Sequence, residues 1–431
     1  MSRPRIVIIG GGFAGLSATK ILRRTDAEIV LFDRHNHHVF QPLLYQVATA
    51  GLSPSQIAVP IRNLFTRHPN VRVRMEEVTG IDLQSRTVRT QQGDQRYDYL
   101  IIAAGKTHSY FGHDEWRAFA PGLKSIDDAL EMRRRFLMSF ERAELETDEA
   151  RRRALITFVV IGGGPTGVEL AGALAEIATK SLPRDFRNVD TAQTRILLVE
   201  GGPRLLAAFD EGLAERARRD LVAMGVDVRL STLARSIDAQ GVDLDSKDRG
   251  AERIDAGAVF WAAGVKAEPI AQDVTETGDK LGRIEVLKDL SVPGHPEVFA
   301  LGDIARVIDA SGKETPGVAQ GAMQMGTHAA KIIAHDIRNG PRPPEERPAF
   351  RYKDKGNMAT IGRRRAIADF GRLKIAGMPA WLLWAFVHVA FLIGFRNKLI
   401  TMFEWIYSYI TFRRGARLIT GQKAEAESRS N

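Results

Sequence analysis

Two glycine loops of the same pattern, each suited to a phosphate-rich ligand, begin 152 residues apart in this chain of 431 residues. RIVIIGGGFAG (5–15) and TFVVIGGGPTG (157–167) each lead from a β-branched strand through G-x-G-x-x-G into a helical pattern. The first glycine permits a tight turn, the second lets the backbone approach a pyrophosphate, and the third lets the helix pack on the strand. The glycines are Gly10, Gly12 and Gly15, and then Gly162, Gly164 and Gly167. The pattern predicts two Rossmann-like folds with one dinucleotide site each; glycine turns that bind nothing are the alternative.

An acidic residue follows each loop at the end of the next strand, where it can accept hydrogen bonds from ribose hydroxyls. Asp33 lies 18 residues beyond the first loop, and Glu200 lies 33 residues beyond the second. The polar stretch SLPRDFRNVDTAQT (181–194) accounts for the longer spacing as a loop insertion. Because Glu200 would repel a 2′-phosphate, the sequence favours NADH over NADPH, although the nearby Arg204 weakens that preference.

Three later strands end in small residues or in an acid. YDYLIIAAG (97–105) and AVFWAAG (258–264) each look like the closing strand of a Rossmann unit, and PEVFALGDIA (296–305) places Asp303 after a further strand. The small residues after the first two strands are Ala104 and Gly105, and Ala263 and Gly264. A helix-capping aspartate is the alternative interpretation of Asp303.

The order of these segments resembles the two-dinucleotide-fold flavoproteins. The resemblance implies non-covalent FAD in the first fold, NAD(P)H in the second, and a hydrogen bond from Asp303 to the ribityl-phosphate part of FAD. The chain has no cysteine, which excludes disulfide exchange and cysteine-borne sulfur. The remaining electron acceptors are a quinone, a small redox protein or oxygen.

PGVAQGAMQMG (316–326) predicts a helix with Pro316 at its first position and two amides on one face. Gln320 and Gln324 could hydrogen-bond a quinone carbonyl, and small neighbours such as Ala319 leave room for a flat ring. A packing helix with two surface glutamines fits the same pattern equally well.

The A-Q-x-A-x-Q-x-G arrangement of this helix, together with HHVFQPLLYQVATAGL (37–52), resembles the type II NADH:quinone oxidoreductases. The similarity runs from residue 5 to about residue 418. It implies a quinone site at Gln320 and Gln324, and FAD contacts from Ala319, Gln320 and the segment around Pro42.

Two further roles come from the same resemblance. It places Glu169 beside the nicotinamide and the flavin, where it couples the two half-reactions, and Lys374 close to the quinone. Without the resemblance, Glu169 would be interpreted as an acid in the first turn of a helix, where it complements the macrodipole.

The C-terminal region combines apolar stretches with basic residues. Residues 375–395 contain no formal charge, and 397–412 have an apolar stripe; ten Lys or Arg stand against two acids between 363 and 418. We predict two helices lying in the interface of an anionic membrane. A transmembrane span and a dimer interface are the alternatives, and nucleic-acid binding is the weaker interpretation of the charge.

These observations predict an α/β protein in which FAD and NADH folds precede a C-terminal membrane-anchoring module. The predicted parts are an FAD domain (1–112 and 266–345), an inserted NADH domain (113–265), and the module with a disordered tail (346–431). The immediate start of a strand leaves no room for a signal peptide, so we expect the protein at the cytoplasmic face of the inner membrane. We also expect a homodimer, and neither a metal nor nucleic acid. The expected activity is non-proton-pumping NADH:quinone oxidoreduction; the alternatives are an NADH-dependent reductase of a small electron-carrier protein and a membrane-bound flavin and NADH sensor.

Overall fold

The computed structural model describes residues 3–275, 278–411 and 415–420. Contacts between residues divide the chain into two units, each assembled from three segments. Unit 1 comprises the residues up to His38, Val59–His108 and Val265–Lys355. Unit 2 comprises Val39–Ala58, Ser109–Gly264 and the described residues from Gly356 onward.

The helices and strands of the described residues are numbered along the chain. The helices are α1 (Phe13–Leu22), α2 (Leu44–Ala48), α3 (Pro54–Ile57), α4 (Ile126–Leu145), α5 (Glu149–Leu155), α6 (Pro165–Glu176), α7 (Glu211–Ala223), α8 (Ala319–Asn339), α9 (Met378–Phe391) and α10 (Phe395–Thr411). The strands are β1 (Arg5–Ile9), β2 (Glu28–Asp33), β3 (His37–Val39), β4 (Ala58–Pro60), β5 (Val71–Met75), β6 (Val78–Asp82), β7 (Thr87–Thr90), β8 (Gln95–Arg96), β9 (Tyr99–Ile102), β10 (Lys106–His108), β11 (Thr157–Ile161), β12 (Arg195–Val199), β13 (Val226–Arg229), β14 (Thr232–Ile237), β15 (Gly241–Ser246), β16 (Gly250–Asp255), β17 (Ala258–Trp261), β18 (Val265–Ala267), β19 (Ile284–Glu285), β20 (Ser291–Val292), β21 (His295–Ala300), β22 (Ala305–Arg306), β23 (Asn357–Gly362), β24 (Arg365–Asp369) and β25 (Lys374–Ala376).

Unit 1 is built on a six-stranded sheet of order β20-β21-β9-β1-β2-β5, parallel except for the β20–β21 pair. The strands β1 and β2 are continuous apolar runs, as expected for parallel strands covered on both faces. Helix α8 packs closely on α1, since a Cβ at Gly326 would overlap the carbonyl oxygen of Ala14. This arrangement places the first glycine loop at the carboxyl edge of the sheet, where ligands of such sheets bind.

Unit 2 contains a four-stranded parallel sheet of order β13-β12-β11-β17. Helix α6 follows the second glycine loop and packs against the antiparallel sheet β23-β24-β25. A Cβ at Gly172 would overlap the carbonyl oxygen of Ile361, so only glycine permits this approach of helix and strand. The two parallel sheets confirm the predicted pair of Rossmann-like folds.

The contacts divide the chain at other points than the predicted domain boundaries. Residues 39–58 belong to unit 2 because α2 packs on α4 and α6. The C-terminal module belongs to unit 2 only from Gly356 onward, since β23 packs on α6. Residues 346–355, which were predicted to be part of the module, belong to unit 1. The predicted disordered tail includes residues 421–431, which lie outside the described residues.

The C-terminal module contains the two predicted helices, but the first is shorter than the uncharged stretch that predicted it. Lys374–Ala376 form strand β25, and α9 begins only at Met378. Gly377, with φ of +77°, ends the strand, and a proline then occupies one of the first two helical positions. Among the described helices, none is long and apolar enough to cross a membrane.

Candidate active site

The first glycine loop has the geometry of a pyrophosphate cradle. Gly10 has φ of +100°, and a Cβ there would overlap the carbonyl oxygen of Ala103. At Gly15 a Cβ would overlap the carbonyl oxygen of Gly10, whereas at Gly12 no heavy atom lies within 4 Å. The first and third glycines are therefore required by packing, and the second leaves backbone open to a ligand. This geometry fits the dinucleotide that the fold implies.

The second glycine loop repeats this construction in unit 2. Gly162 has φ of +112° and a Cβ there would lie 2.7 Å from Ala263 N. At Gly167 a Cβ would overlap Gly162, and at Gly164 the space is again open to 4 Å. Ala263 and Gly264 follow β17, and Gly264 has φ of +64°. The structure thus brings all five predicted residues of this loop and strand end to one edge of the unit 2 sheet.

The two predicted ribose-binding acids also brace their own glycine loops. Asp33 accepts hydrogen bonds from Gly11 N at 2.7 Å and from His35 N at 2.7 Å. Glu200 does the same with Gly163 N at 2.6 Å and Gly202 N at 2.7 Å. Each carboxylate oxygen retains a lone pair for a ribose hydroxyl. The acid therefore shapes the loop as well as offering acceptors to a nucleotide.

Arg204 is engaged elsewhere, although its position in the sequence suggested that it could hold a 2′-phosphate. Its guanidinium donates to Phe209 O at 3.2 Å and to Ala207 O at 2.8 Å. Arg204 thus holds the loop in which it lies. Glu200 is therefore the charged residue that selects against a 2′-phosphate.

We expect Glu200→Gln to raise kcat/KM for NADPH relative to NADH by roughly tenfold, since the amide removes the charge that repels a 2′-phosphate. Steady-state rates with both nucleotides measure the ratio. Glu215→Gln, which neutralises an exposed acid on α7, should leave the ratio unchanged. An unchanged ratio in Glu200→Gln would remove Glu200 from nucleotide selection.

At the carboxyl edge of the unit 1 sheet, Asp303 forms an ion pair that the sequence analysis missed. Lys106 Nζ lies 2.7 Å from Asp303 Oδ2 and also donates to Gly317 O at 3.2 Å. Gly105, with φ of +81°, makes the turn that follows Ala104. A lysine directly after the small-residue turn was the signal that could have identified Lys106. The pair fixes the Asp303 carboxylate instead of leaving it to cap a helix.

Helix α8 begins at Ala319, three residues after the predicted start at Pro316. Gln320 lies in its first turn. The amide of Gln324 is paired with the backbone of Lys353, donating to O at 3.0 Å and accepting from N at 2.9 Å. The two glutamines share a helix face as predicted, but within the described residues the Gln320 amide makes no such pairing with the backbone. Pro42 lies in a 3-10 turn and belongs to unit 2, whereas the other predicted FAD residues belong to unit 1.

Unit 2 also contains a cavity that opens to solvent, with about 660 Å³ of empty space when the solvent at its mouth is included. Its wall is formed by α2, α6, β23 and the two C-terminal helices, and five aromatic side chains line it: Tyr45, Trp381, Trp384, Trp405 and Tyr409. Trp405 Nε1 donates to Gln46 at 2.8 Å, and the rings of Trp384 and Trp405 stack with centroids 5.3 Å apart. Such a wall suits a flat, largely apolar ring.

Glu169 lies on the wall of this cavity, in the second turn of α6 and not in the first as the macrodipole interpretation required. Burial raises its pKa to about 8, and the backbone N–H of Thr360, 3.4 Å away, opposes the shift. Glu169 is nevertheless only half-buried, because part of its surface is accessible through the cavity. At neutral pH the carboxyl is therefore mostly protonated and can give a proton to a ligand.

Lys374 does not line the cavity. It pairs with Asp210, the N-cap residue of α7, and this pairing raises the pKa of the lysine.

The cavity residues Gln46, Trp381 and Trp405 were missed by the sequence analysis. Aromatic residues recurring at three- and four-residue spacing in the two C-terminal helices were the available signal.

Two family models match the chain. The pyridine nucleotide-disulphide oxidoreductase model matches residues 4–326, and the NDH2 C-terminal domain model matches residues 355–414. The first match, with the two Rossmann-like folds and their glycine loops, assigns the chain to the pyridine nucleotide-disulphide oxidoreductases.

Similar proteins and solved structures show to which family within the pyridine nucleotide-disulphide oxidoreductases the chain belongs. The type II NADH:quinone oxidoreductase Ndh of Mycobacterium tuberculosis is 43% identical over 435 residues, covering 99% of this chain and 92% of its own. The second such enzyme of that organism, NdhA, is 43% identical over 97% of this chain and 90% of its own. The structure of NDH2 from Plasmodium falciparum in complex with NADH superimposes with a TM-score of 0.87 at 19% identity, over 97% of this chain and 100% of that one. The chain belongs to the type II NADH:quinone oxidoreductase family, which confirms the resemblance found in the sequence.

Proposed function

We propose that this protein transfers two electrons from NADH to a quinone through non-covalently bound FAD, without pumping protons. Family membership confirms the class of reaction and the cofactor that the sequence predicted. The balanced reaction consumes NADH, one proton and a quinone and yields NAD⁺ and a quinol. The observation that carries our site assignment is the aromatic cavity of unit 2 with Glu169, whose pKa is raised by burial, at its wall.

Unit 1 would hold FAD, which when bound supplies the centre that accepts a hydride and passes on electrons. The open backbone at Gly12 would receive the pyrophosphate, and the second lone pairs of Asp33 would receive ribose hydroxyls. Asp303, held by Lys106, would meet the ribityl-phosphate part. In unit 2 the open backbone at Gly164 would receive the NADH pyrophosphate, and Glu200 its adenosine ribose.

The cavity would receive the quinone. Aromatic rings can stack on the quinone ring, and Gln46, held by Trp405, is a polar neighbour for a carbonyl oxygen. Reduction of a quinone places negative charge on its oxygens, and a neutral carboxylic acid is the group that can neutralise it with a proton. Glu169 is such a group because burial raises its pKa to about 8.

The outer surface of the C-terminal helices supports attachment to a lipid surface. Large apolar side chains on α9 and α10 are exposed, while other positions of the same helices are buried. The exposed residues are Met378, Leu382, Phe386, Phe391, Phe395, Met402, Phe403, Ile406, Tyr407 and Ile410. The family associates with membranes peripherally; we propose that these side chains enter an anionic membrane on its cytoplasmic face. The homodimer remains a prediction.

Anaerobic mixing tests the function directly. Purified protein is mixed with NADH and then with a short-chain quinone while the flavin absorbance is followed. Bleaching by NADH and full recovery on addition of quinone are expected. Recovery that requires oxygen or a carrier protein instead would contradict the proposal.

The role predicted for the glutamine pair on α8 is tested separately. Gln320 does not line the cavity, and its place at the quinone comes from the family resemblance alone. That resemblance predicts that Gln320→Leu slows flavin reoxidation by quinone severalfold, through added volume and loss of an amide hydrogen bond, and leaves reduction by NADH unchanged. Rapid mixing measures both half-reactions. Lys331→Leu, at a surface position of the same helix, is the control. Equal losses in both half-reactions would remove Gln320 from the quinone site.

A further inference from the structure

Arg363 occupies a tight turn beside the cavity. It lies in the two-residue connection between β23 and β24, where Gly362 pairs with Arg365 and Arg364 has φ of +62°. Its backbone N–H donates to the carboxylate of Glu176, the last residue of α6. The turn is therefore held on the same helix that supplies Glu169.

The guanidinium of Arg363 reaches the last turn of α10. It donates to Tyr409 O at 2.7 Å and to Ser408 O at 2.8 Å, and it lies 4.8 Å from the centroid of the Tyr409 ring. The last carbonyls of a helix have no partner within the helix and carry partial negative charge. A bidentate cation at this end thus fixes both the position and the direction of α10.

Both ends of this link belong to the cavity wall. Glu176, Arg363, Ser408 and Tyr409 all line it. A second link joins α10 to α2 through the hydrogen bond from Trp405 to Gln46. The helix that presents Phe403 and Ile410 to the outside is therefore also one wall of the cavity, and these polar links help to hold that wall in place.

We propose that Arg363 is a positioning residue for quinone reduction. By fixing the end of α10 against the turn that α6 supports, it sets the spacing of the aromatic wall on which the quinone ring stacks. The inference rests on the proposed function, since it assumes that the cavity is the quinone site. It assigns to Arg363 no proton or electron transfer.

Arg363→Met tests the proposal, because methionine keeps most of the aliphatic stem and removes both bonds to α10. We expect KM for a short-chain quinone to rise by roughly tenfold, the size expected for loss of charge-assisted hydrogen bonds. Direct binding, followed by quenching of the cavity tryptophans, should weaken by the same factor. Reduction of the flavin by NADH should be unchanged, and Arg363→Lys should recover part of the affinity.

Arg372→Met is the control. Arg372 is an exposed arginine of the same module, in the connection between β24 and β25, and it does not line the cavity. It should retain wild-type quinone affinity. Unchanged quinone binding in Arg363→Met would overturn the inference, and so would equal losses in both half-reactions with no recovery by lysine. If wild-type protein itself is not reoxidised by quinone, the proposed function fails instead.

Discussion

Glu169→Gln should slow reoxidation of the reduced protein by quinone about 100-fold at neutral pH, the usual size of a lost general acid. Glutamine keeps the shape and can still accept the Thr360 N–H, but it has no proton to give. Rapid mixing of the NADH-reduced protein with a short-chain quinone measures the step. Reduction by NADH should change much less.

The pH dependence provides the specific signature of this role. Because burial raises the pKa of Glu169 to about 8, the acid form predominates below that pH and is lost above it. Wild-type reoxidation should therefore fall as the pH rises through about 8, and Glu169→Gln should lack this fall. Glu149→Gln, at an exposed acid of α5, should behave as wild type. A Glu169→Gln variant that keeps the wild-type rate and pH profile would exclude the proton-donor role.

The double substitution Phe403→Asp and Ile410→Asp should release the protein from vesicles that contain anionic lipid. The two side chains are 63% and 72% exposed on α10. Each buried apolar side chain contributes about 2 kcal/mol, so the partition coefficient should fall on the order of 1000-fold. Vesicle sedimentation measures it. Activity with a short-chain quinone in detergent should remain, because neither residue lines the cavity.

Leu145→Asp is the matched control, since Leu145 is 84% exposed on α4 and outside the C-terminal module. It should bind vesicles as wild type does. Binding of wild type should also be the same from about pH 5.5 to 8, because burial lowers the pKa of His388 in α9 to about 4 and the ring stays neutral. Complete release of wild type by high salt alone would contradict insertion of the apolar side chains.

The sequence alone determined the features that depend on short-range pattern. In each glycine loop the turn, the open position and the packing position lie within six residues, and the acid follows at the end of the next strand, so local spacing was sufficient to predict them. The structure then showed that Asp33 and Glu200 brace their loops in the same way. The resemblance to the family depended on such segments and was confirmed by the comparisons.

Tertiary structure decided what depends on packing between distant segments. The cavity combines residues from α2, α6, β23 and the C-terminal helices, and neither the high pKa of Glu169 nor the link through Arg363 exists until these segments meet. Pairing with β24 made residues 375 and 376 part of a strand although they belong to the uncharged stretch that suggested a helix. Lys374 is likewise paired with Asp210, 164 residues away. Burial, and the partner that each polar group finds, are properties of the assembled chain, so no pattern within one segment could specify them.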